Sequence, residues 1–220
     1  MDFSGILWNL PGREIEQESF RRIDSEVSAE KRARFTEEQW HVARRLVHTG
    51  ADFALLDLLE MTPDAVQAGL KALHRGCRIY TDSNMIKAGL SVPKLKKFHS
   101  SYSRDSILCP VADPEVAEYA ERHGITRALA AVELHRDFFQ DAIFLCGNAP
   151  LALAGVARLY AEQGICPALM IGMPVGFVNV VESKKLLDHV KIPWIRLNGR
   201  RGGSSFAVAA LHGIMENELR

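Results

Sequence analysis

The sequence predicts an α/β fold: a single domain over residues 1–220, built on a mostly parallel, doubly wound sheet and preceded by N-terminal helices. Two observations lead to this class. From about residue 77 onward, short apolar runs alternate with amphipathic helical patterns, which is typical of βαβ units. The chain has 220 residues, 47% of them hydrophobic and 25% charged, and this is enough to bury one sizeable core.

The N-terminal third predicts three helices. In the first, apolar residues recur at helical spacing among charges, at Ile15, Phe20, Ile23 and Val27. The second begins with the capping box Thr36-Glu-Glu-Gln, runs to about His48 and stops at Gly50. The third begins at Thr62-Pro63-Asp64 and ends near Gly76.

Strands and helices are predicted to alternate in the rest of the chain. The strands are expected at 77–81, 106–111, 142–146, 168–172 and 193–197. The helices are expected near 114–123, 126–139, 150–163, 181–190 and 204–218. Residues 87–104 are rich in Lys and Ser and show little periodicity, which predicts a mobile loop.

Composition argues against several classes of partner. Lys plus Arg and Asp plus Glu both number 27, so the net charge offers no long-range attraction to nucleic acid. The apolar stretches 142–146 and 168–175 are far shorter than the roughly 20 residues that span a bilayer, and we expect no membrane partner. Residues 1–10 do not resemble a signal peptide. The cytoplasm is therefore the predicted compartment.

No metal, nucleotide or other protein-bound cofactor is expected. The four cysteines are widely spaced without a C-x-x-C pair, at Cys77, Cys109, Cys146 and Cys166, and we interpret them as reduced, apolar-packed thiols. The sequence contains no H-E-x-x-H pair. It also lacks the phosphate-binding patterns G-x-G-x-x-G and G-x-x-x-x-G-K-[ST], which argues against a nucleotide-dependent oxidoreductase or methyltransferase.

Three glycine-containing junctions follow predicted strands and indicate a ligand-binding edge. The first contains Gly147 and Asn148, the second contains Gly176, and the third runs from Gly199 to Ser205 with Arg200, Gly203 and Ser204. Ligands of open parallel sheets bind at this edge, where helix N-termini offer N–H groups to anions. Each junction taken alone is as well explained by an ordinary turn, but together they favour a carboxylate- or phosphate-binding rim.

His48 and Asp82 are candidates with structural alternatives. Arg45 lies one turn before His48, and its charge would help to keep the imidazole neutral and able to exchange a proton near pH 7. The alternative for His48 is a residue that caps its own helix. Asp82 follows a predicted strand and either faces the site or caps the next helix.

The chain resembles the precorrin-8X methylmutases, also called precorrin isomerases, over roughly residues 12 to 215. The motifs that carry the resemblance are Glu18-Ser19-Phe20 followed by Ile23, Arg45-Leu-Val-His48, Tyr80-Thr-Asp82-Ser-Asn-Met85, Gly124-Ile-Thr-Arg127, Gly147-Asn-Ala-Pro150, Gly172-Met-Pro-Val-Gly-Phe-Val178, Glu182-Ser-Lys184 and Gly199-Arg-Arg-Gly-Gly-Ser204. The segment from His48 to Phe53, with Leu56-Asp57, is more similar to the cobalt-precorrin branch.

The resemblance implies an isomerase of cobalamin biosynthesis that moves a methyl group from ring carbon 11 to ring carbon 12 of a corrin-like polycarboxylate. It implies that His48 is proton donor and acceptor and that Ser19 and Arg45 contact the substrate. Arg127 and the loop from Gly199 to Ser204 would meet its acetate and propionate groups. Any cobalt would belong to the substrate.

The resemblance also implies a homodimer, with handover of product to the next pathway enzyme left open. Two positions depart from the family pattern, because Leu151 and Ala128 replace hydroxyl residues. A corrinoid carrier without turnover is the alternative function. Such a carrier would tolerate the loss of His48.

Overall fold

The computed structural model describes residues 1–219 and confirms the α/β class. Six strands form one sheet in the order β1-β6-β5-β4-β2-β3. They are β1 (Leu59–Met61), β2 (Ile79–Thr81), β3 (Ile107–Leu108), β4 (Ile143–Cys146), β5 (Leu169–Gly172) and β6 (Trp194–Leu197). Strand β1 is antiparallel to β6, and the other neighbouring strands are parallel.

Helices precede the sheet and connect its strands. They are α1 (Gly12–Glu26), α2 (Ala29–Ala33), α3 (Glu37–Gly50), α4 (Leu55–Leu58), α5 (Ala65–His74), α6 (Asn84–Gly89), α7 (Val92–Leu95), α8 (Pro114–His123), α9 (Arg127–Leu134), α10 (Pro150–Gln163), α11 (Val180–Lys185) and α12 (Ser204–Glu216). Short 3₁₀ turns lie at Pro110–Ala112, Arg136–Phe138 and Leu186–His189. Within residues 1–219 no helix is long and apolar enough to cross a membrane.

Alternate residues of the strands enter two separate cores, as a doubly wound sheet requires. On β4, Ile143 and Leu145 join the larger core, to which α3, α5 and α12 contribute. Phe144 and Cys146 join the second core, which α10 covers. The sheet is therefore covered by helices on both faces, and its strand ends are the place where a ligand can reach the backbone.

Close packing of α3 against α12 places the end of α3 at this edge. A Cβ atom on Gly213 would lie 2.6 Å from the Cα of Val42, and one on Gly50 would lie 3.1 Å from the Phe206 ring. The two helices therefore run antiparallel, with the C-terminus of α3 beside the N-terminus of α12. The predicted capping box begins α3, since the Thr36 hydroxyl accepts the N–H of Gln39 at 3.2 Å.

Several short elements differ from the sequence-based prediction. Strand β1 and helices α2 and α4 were not predicted. The prediction of a mobile loop over residues 87–104 is wrong, because α7 lies within this segment and the side chains of Leu95, Phe98 and Tyr102 are buried. A helix of four residues makes only about one turn, so it shows no repeat from which to predict it.

Candidate active site

His48 lines a cleft of about 520 Å³ between α1 and the end of α3. The volume falls in the range of small-molecule sites, about 300–1,000 Å³. Apolar side chains form much of the wall, and Ser19, Glu18 and Arg22 of α1 supply polar groups. The cleft therefore combines apolar surface with a few polar groups, among them the His48 imidazole.

Ser19 fixes the ring of His48. Its Oγ lies 2.7 Å from Nδ1 of His48, and the Phe20 ring meets the imidazole edge to face at 5.2 Å between centroids. Because Nδ1 pairs with Ser19, it is not available to cap the carbonyls of α3. No hydrogen bond among residues 1–219 uses Nε2 of His48, which leaves this nitrogen for a ligand.

The surroundings of His48 favour the neutral imidazole. Burial lowers the pKa of His48 from its ordinary value and the charge of Arg45 lowers it further, while Glu16 acts in the opposite direction. The effect that the sequence predicted for Arg45 is therefore present in the structure. At pH 7 the neutral ring can either accept a proton or donate one, depending on its tautomer.

Arg45 itself lies between two carboxylates. Its guanidinium pairs with Glu16 of α1 at 2.8 Å and with Glu216 of α12, and its side chain is only 8% exposed. Burial opposes the charge on Arg45, but the two carboxylates outweigh burial and hold its pKa above the ordinary value. Arg45 thus ties α1 and α12 to α3, a role that sequence reasoning missed.

A second cleft of about 320 Å³ brings Arg45 together with the start of α12. Arg45 and Thr49 of α3 line one side of it. Ser204 and Ser205 at the start of α12 line it as well, together with His212 further along the same helix. The predicted residues Arg45 and Ser204 are therefore neighbours at the sheet edge. His48 faces the other cleft.

Asp82 does not offer its carboxylate to a ligand. The side chain is buried and accepts the N–H groups of Gly147 at 3.0 Å, Asn148 at 2.8 Å and Ala149 at 2.6 Å. Burial raises the pKa of Asp82, and these N–H groups oppose the rise. Nor does Asp82 cap the next helix, because the N-cap of α6 is Ser83. Asp82 therefore stabilises the turn before α10 and does not make the predicted substrate contact.

Two of the three predicted junctions touch each other. A Cβ atom on Gly147 would lie 2.6 Å from the Cα of Ser204, so only glycine allows this approach. The hydroxyls of Ser83 and Ser204 lie 2.8 Å apart. Asn148 is exposed beside them. The turn after β4 and the start of α12 therefore form one surface at the sheet edge.

The junctions after β5 and β6 are also packed together. Gly176 and Gly203 both have a φ of 139°, which favours glycine. The Arg200 guanidinium lies over the Phe177 ring at 5.2 Å, and Arg201 pairs with Asp52 at 2.7 Å. Since Asp52 follows α3, this ion pair connects the loop after β6 to the helix that carries His48.

Arg127 lies apart from the other predicted residues. It is exposed at the first position of α9, which packs on α8 and α10 rather than on α3 or α12. It lines neither the cleft at His48 nor the one at Arg45. Within one chain, the structure does not bring Arg127 to the site.

The described residues show no preformed metal site. Within residues 1–219, no group of three or more His, Cys, Asp or Glu side chains is placed to hold a metal ion. The four cysteines are free, and burial raises the pKa of each thiol. Raised pKa values make these thiols less reactive as nucleophiles near neutral pH.

Comparison with known proteins points to one family. The precorrin-8X methylmutase model (CbiC) matches residues 14–217. The chain is 37% identical over 212 residues to the cobalt-precorrin-8 methylmutase of Leptospira interrogans, covering 93% of each chain. It is 31% identical over 205 residues to the precorrin-8X methylmutase of Pseudomonas aeruginosa, covering 92% of this chain and 94% of that one.

A solved structure gives the same result. The structure of the precorrin-8X methylmutase of Thermus thermophilus superposes with a TM-score of 0.81 at 41% identity. The match covers 93% of this chain and 95% of that one. Sequence and fold therefore agree over nearly the whole length.

Proposed function

The chain belongs to the precorrin-8X methylmutase family, and we propose that it moves a methyl group from ring carbon 11 to ring carbon 12 of cobalt-precorrin-8. Its relatives are methylmutases, and it is an isomerase of cobalamin biosynthesis. The proposed product is cobyrinate, or hydrogenobyrinate from the metal-free substrate. The observation that supports this reaction is the His48 imidazole, which Ser19 holds in a cleft of ligand size.

In the proposed mechanism His48 exchanges a proton with a pyrrole-type nitrogen of the macrocycle. A sigmatropic methyl shift needs no nucleophile, but it needs the correct tautomer of the ring system. If the Ser19 hydroxyl donates to Nδ1, then Nε2 carries the proton and can donate it. If Nδ1–H donates to Ser19 instead, then Nε2 can accept a proton. The Ser19 pair therefore supports both directions of transfer.

The substrate would be held by its carboxylates. Arg200, Gly203 and Ser204 lie at the sheet edge, and Gly147 and Asn148 lie beside them. Charge-assisted hydrogen bonds from guanidinium groups and backbone N–H groups are the strong contacts for such ligands. We propose that these residues, with Gly176 and Arg45, bind the rim of the macrocycle. No protein-bound cofactor is proposed, and cobalt enters with the substrate.

We also propose that the protein is a homodimer. Apolar side chains are exposed in two segments, with Trp8 at 69% near the N-terminus and Phe177 and Val178 at 82% and 75% after β5. Exposed apolar patches are typical of interfaces. Analytical ultracentrifugation is expected to give twice the mass of the chain, and a concentration-independent monomer would contradict the proposal.

An absorbance assay tests the proposed reaction, because the methyl shift changes the conjugated chromophore. We expect the purified protein to convert cobalt-precorrin-8 faster than metal-free precorrin-8X. A preference for the metal-free substrate would contradict the assignment to the cobalt branch. Binding of both substrates without a spectral change would favour the carrier function instead.

A further inference from the structure

Lys184 is a buried cation beneath an exposed loop. Its side chain is 1% exposed, and Nζ donates to the carbonyl oxygens of Gly199 at 2.9 Å and Arg201 at 2.7 Å. Within residues 1–219 no carboxylate pairs with this ammonium group. A buried charge without a counter-ion is costly. The backbone of the loop therefore compensates for the charge of Lys184.

Three successive carbonyl oxygens of this loop accept hydrogen bonds. Gly199 and Arg201 face Lys184, and the carbonyl of Arg200 between them accepts the N–H of Gly176 at 3.3 Å. The described residues contain no cis peptide bond. In a trans peptide the C=O and the following N–H point in opposite directions.

The N–H groups of Arg200 and Gly202 therefore point away from Lys184, and the N–H group of Arg201 points away from Gly176. No hydrogen bond in the described part of the chain uses any of these three donors. The unpaired N–H groups of Arg200 and Gly202 on the side away from Lys184 can bind an anion. The Arg200 and Arg201 side chains add positive charge to the loop, and the Arg201–Asp52 ion pair joins it to the end of α3.

We infer that Lys184 is a positioning residue that turns the carbonyls of Gly199 and Arg201 inward, so that the N–H groups of Arg200 and Gly202 bind a carboxylate of the macrocycle. The inference rests on the proposed function, which supplies a polycarboxylate ligand. Lys184 itself does not touch the ligand. It fixes the orientation of the peptide groups that bind the ligand.

The charge on Lys184 makes this arrangement dependent on pH. The groups that face the ammonium are the Cys146 thiol of β4 and the Arg196 guanidinium of β6, which pairs with Glu60 and Asp188. Burial lowers the pKa of Lys184 to about 8. The protonated form that holds the loop is therefore present below this pH and is lost as the pH rises through it.

The test compares Lys184→Met with Lys185→Met, the exposed neighbour on α11. The probes are cobyrinic acid, a corrinoid polycarboxylate, and a corrinoid whose side chains are amidated, each titrated by absorbance. Loss of a charge-assisted contact network is expected to weaken binding of the acid about 10- to 100-fold in Lys184→Met. Binding of the amide, and both affinities of Lys185→Met, should match those of the wild type.

Unchanged affinity of Lys184→Met for the acid would overturn the inference. An equal loss for acid and amide would also overturn it, since that pattern indicates general disruption. If Lys184→Met does not fold, the wild type decides: its affinity for the acid should fall above pH about 8, and a flat profile refutes the role of Lys184. A wild type that binds neither corrinoid refutes the proposed function itself.

Discussion

His48→Ala is expected to lower kcat by about 10²–10⁴-fold, which is the typical contribution of a positioned proton donor or acceptor. Substrate binding should be largely retained, because the imidazole supplies one wall of a cleft that is mostly apolar. Single-turnover absorbance with saturating substrate measures the chemical step. A parallel titration with cobyrinic acid measures binding, so the two effects are separated.

The matched control is His123→Ala, which removes an exposed imidazole on α8, away from the cleft. It should leave kcat unchanged. A His48→Ala protein that turns over at the wild-type rate would refute His48 as the proton-transfer group. A loss of binding as large as the loss of rate would instead make His48 a substrate contact.

The pattern of the sheet was predictable because its strands carry a strong signal. Strands β4 and β5 are buried on both faces and show as continuous apolar runs, and helix α8 matches its prediction at Pro114 and His123. Strand β1 has only three residues and helix α4 only four. Such elements are set by tertiary contacts rather than by local pattern.

The candidate site was only partly predictable. His48 was a candidate from its position one turn after Arg45, Ser19 was identified only through the family resemblance, and the structure places the two side chains 2.7 Å apart. Hydrogen bonds from side chains to distant backbone groups could not be predicted in this way. Asp82 binds the turn after β4 and Lys184 binds the loop after β6, and both contacts depend on which strands are neighbours. Similarly, Arg45 pairs with Glu216, which lies 171 residues away.

Arg45→Met is expected to destabilise the protein by about 3–5 kcal/mol, because removing one partner of a buried ion pair leaves uncompensated charge. Two carboxylates lose their partner, and the side chain of Glu216 is only 15% exposed. The midpoint of urea unfolding at pH 7 measures the loss. The control Arg122→Met breaks a pair with Glu118, and the two side chains are 65% and 72% exposed, so it should cost at most about 1 kcal/mol.

Acidity should partly rescue Arg45→Met. Burial already raises the pKa of Glu216 in the wild type, where Arg45 opposes the rise. Without Arg45 that pKa rises further, so the carboxylate is protonated at a higher pH and its penalty shrinks as the pH falls. The loss of stability should therefore be smaller at pH 5 than at pH 7. An equal loss at both values would show that packing, rather than charge, explains the effect.

The same variant should change the pH dependence of turnover. Arg45 lowers the pKa of His48, so its removal allows the imidazole to be protonated at a higher pH. If His48 must be neutral, kcat/KM of the wild type falls as the imidazole is protonated at low pH. In Arg45→Met this fall, the acid limb of the pH profile, should occur at a higher pH. If stability changes but the acid limb does not move, Arg45 only joins α1, α3 and α12. If both the stability and the acid limb change, Arg45 also keeps His48 neutral.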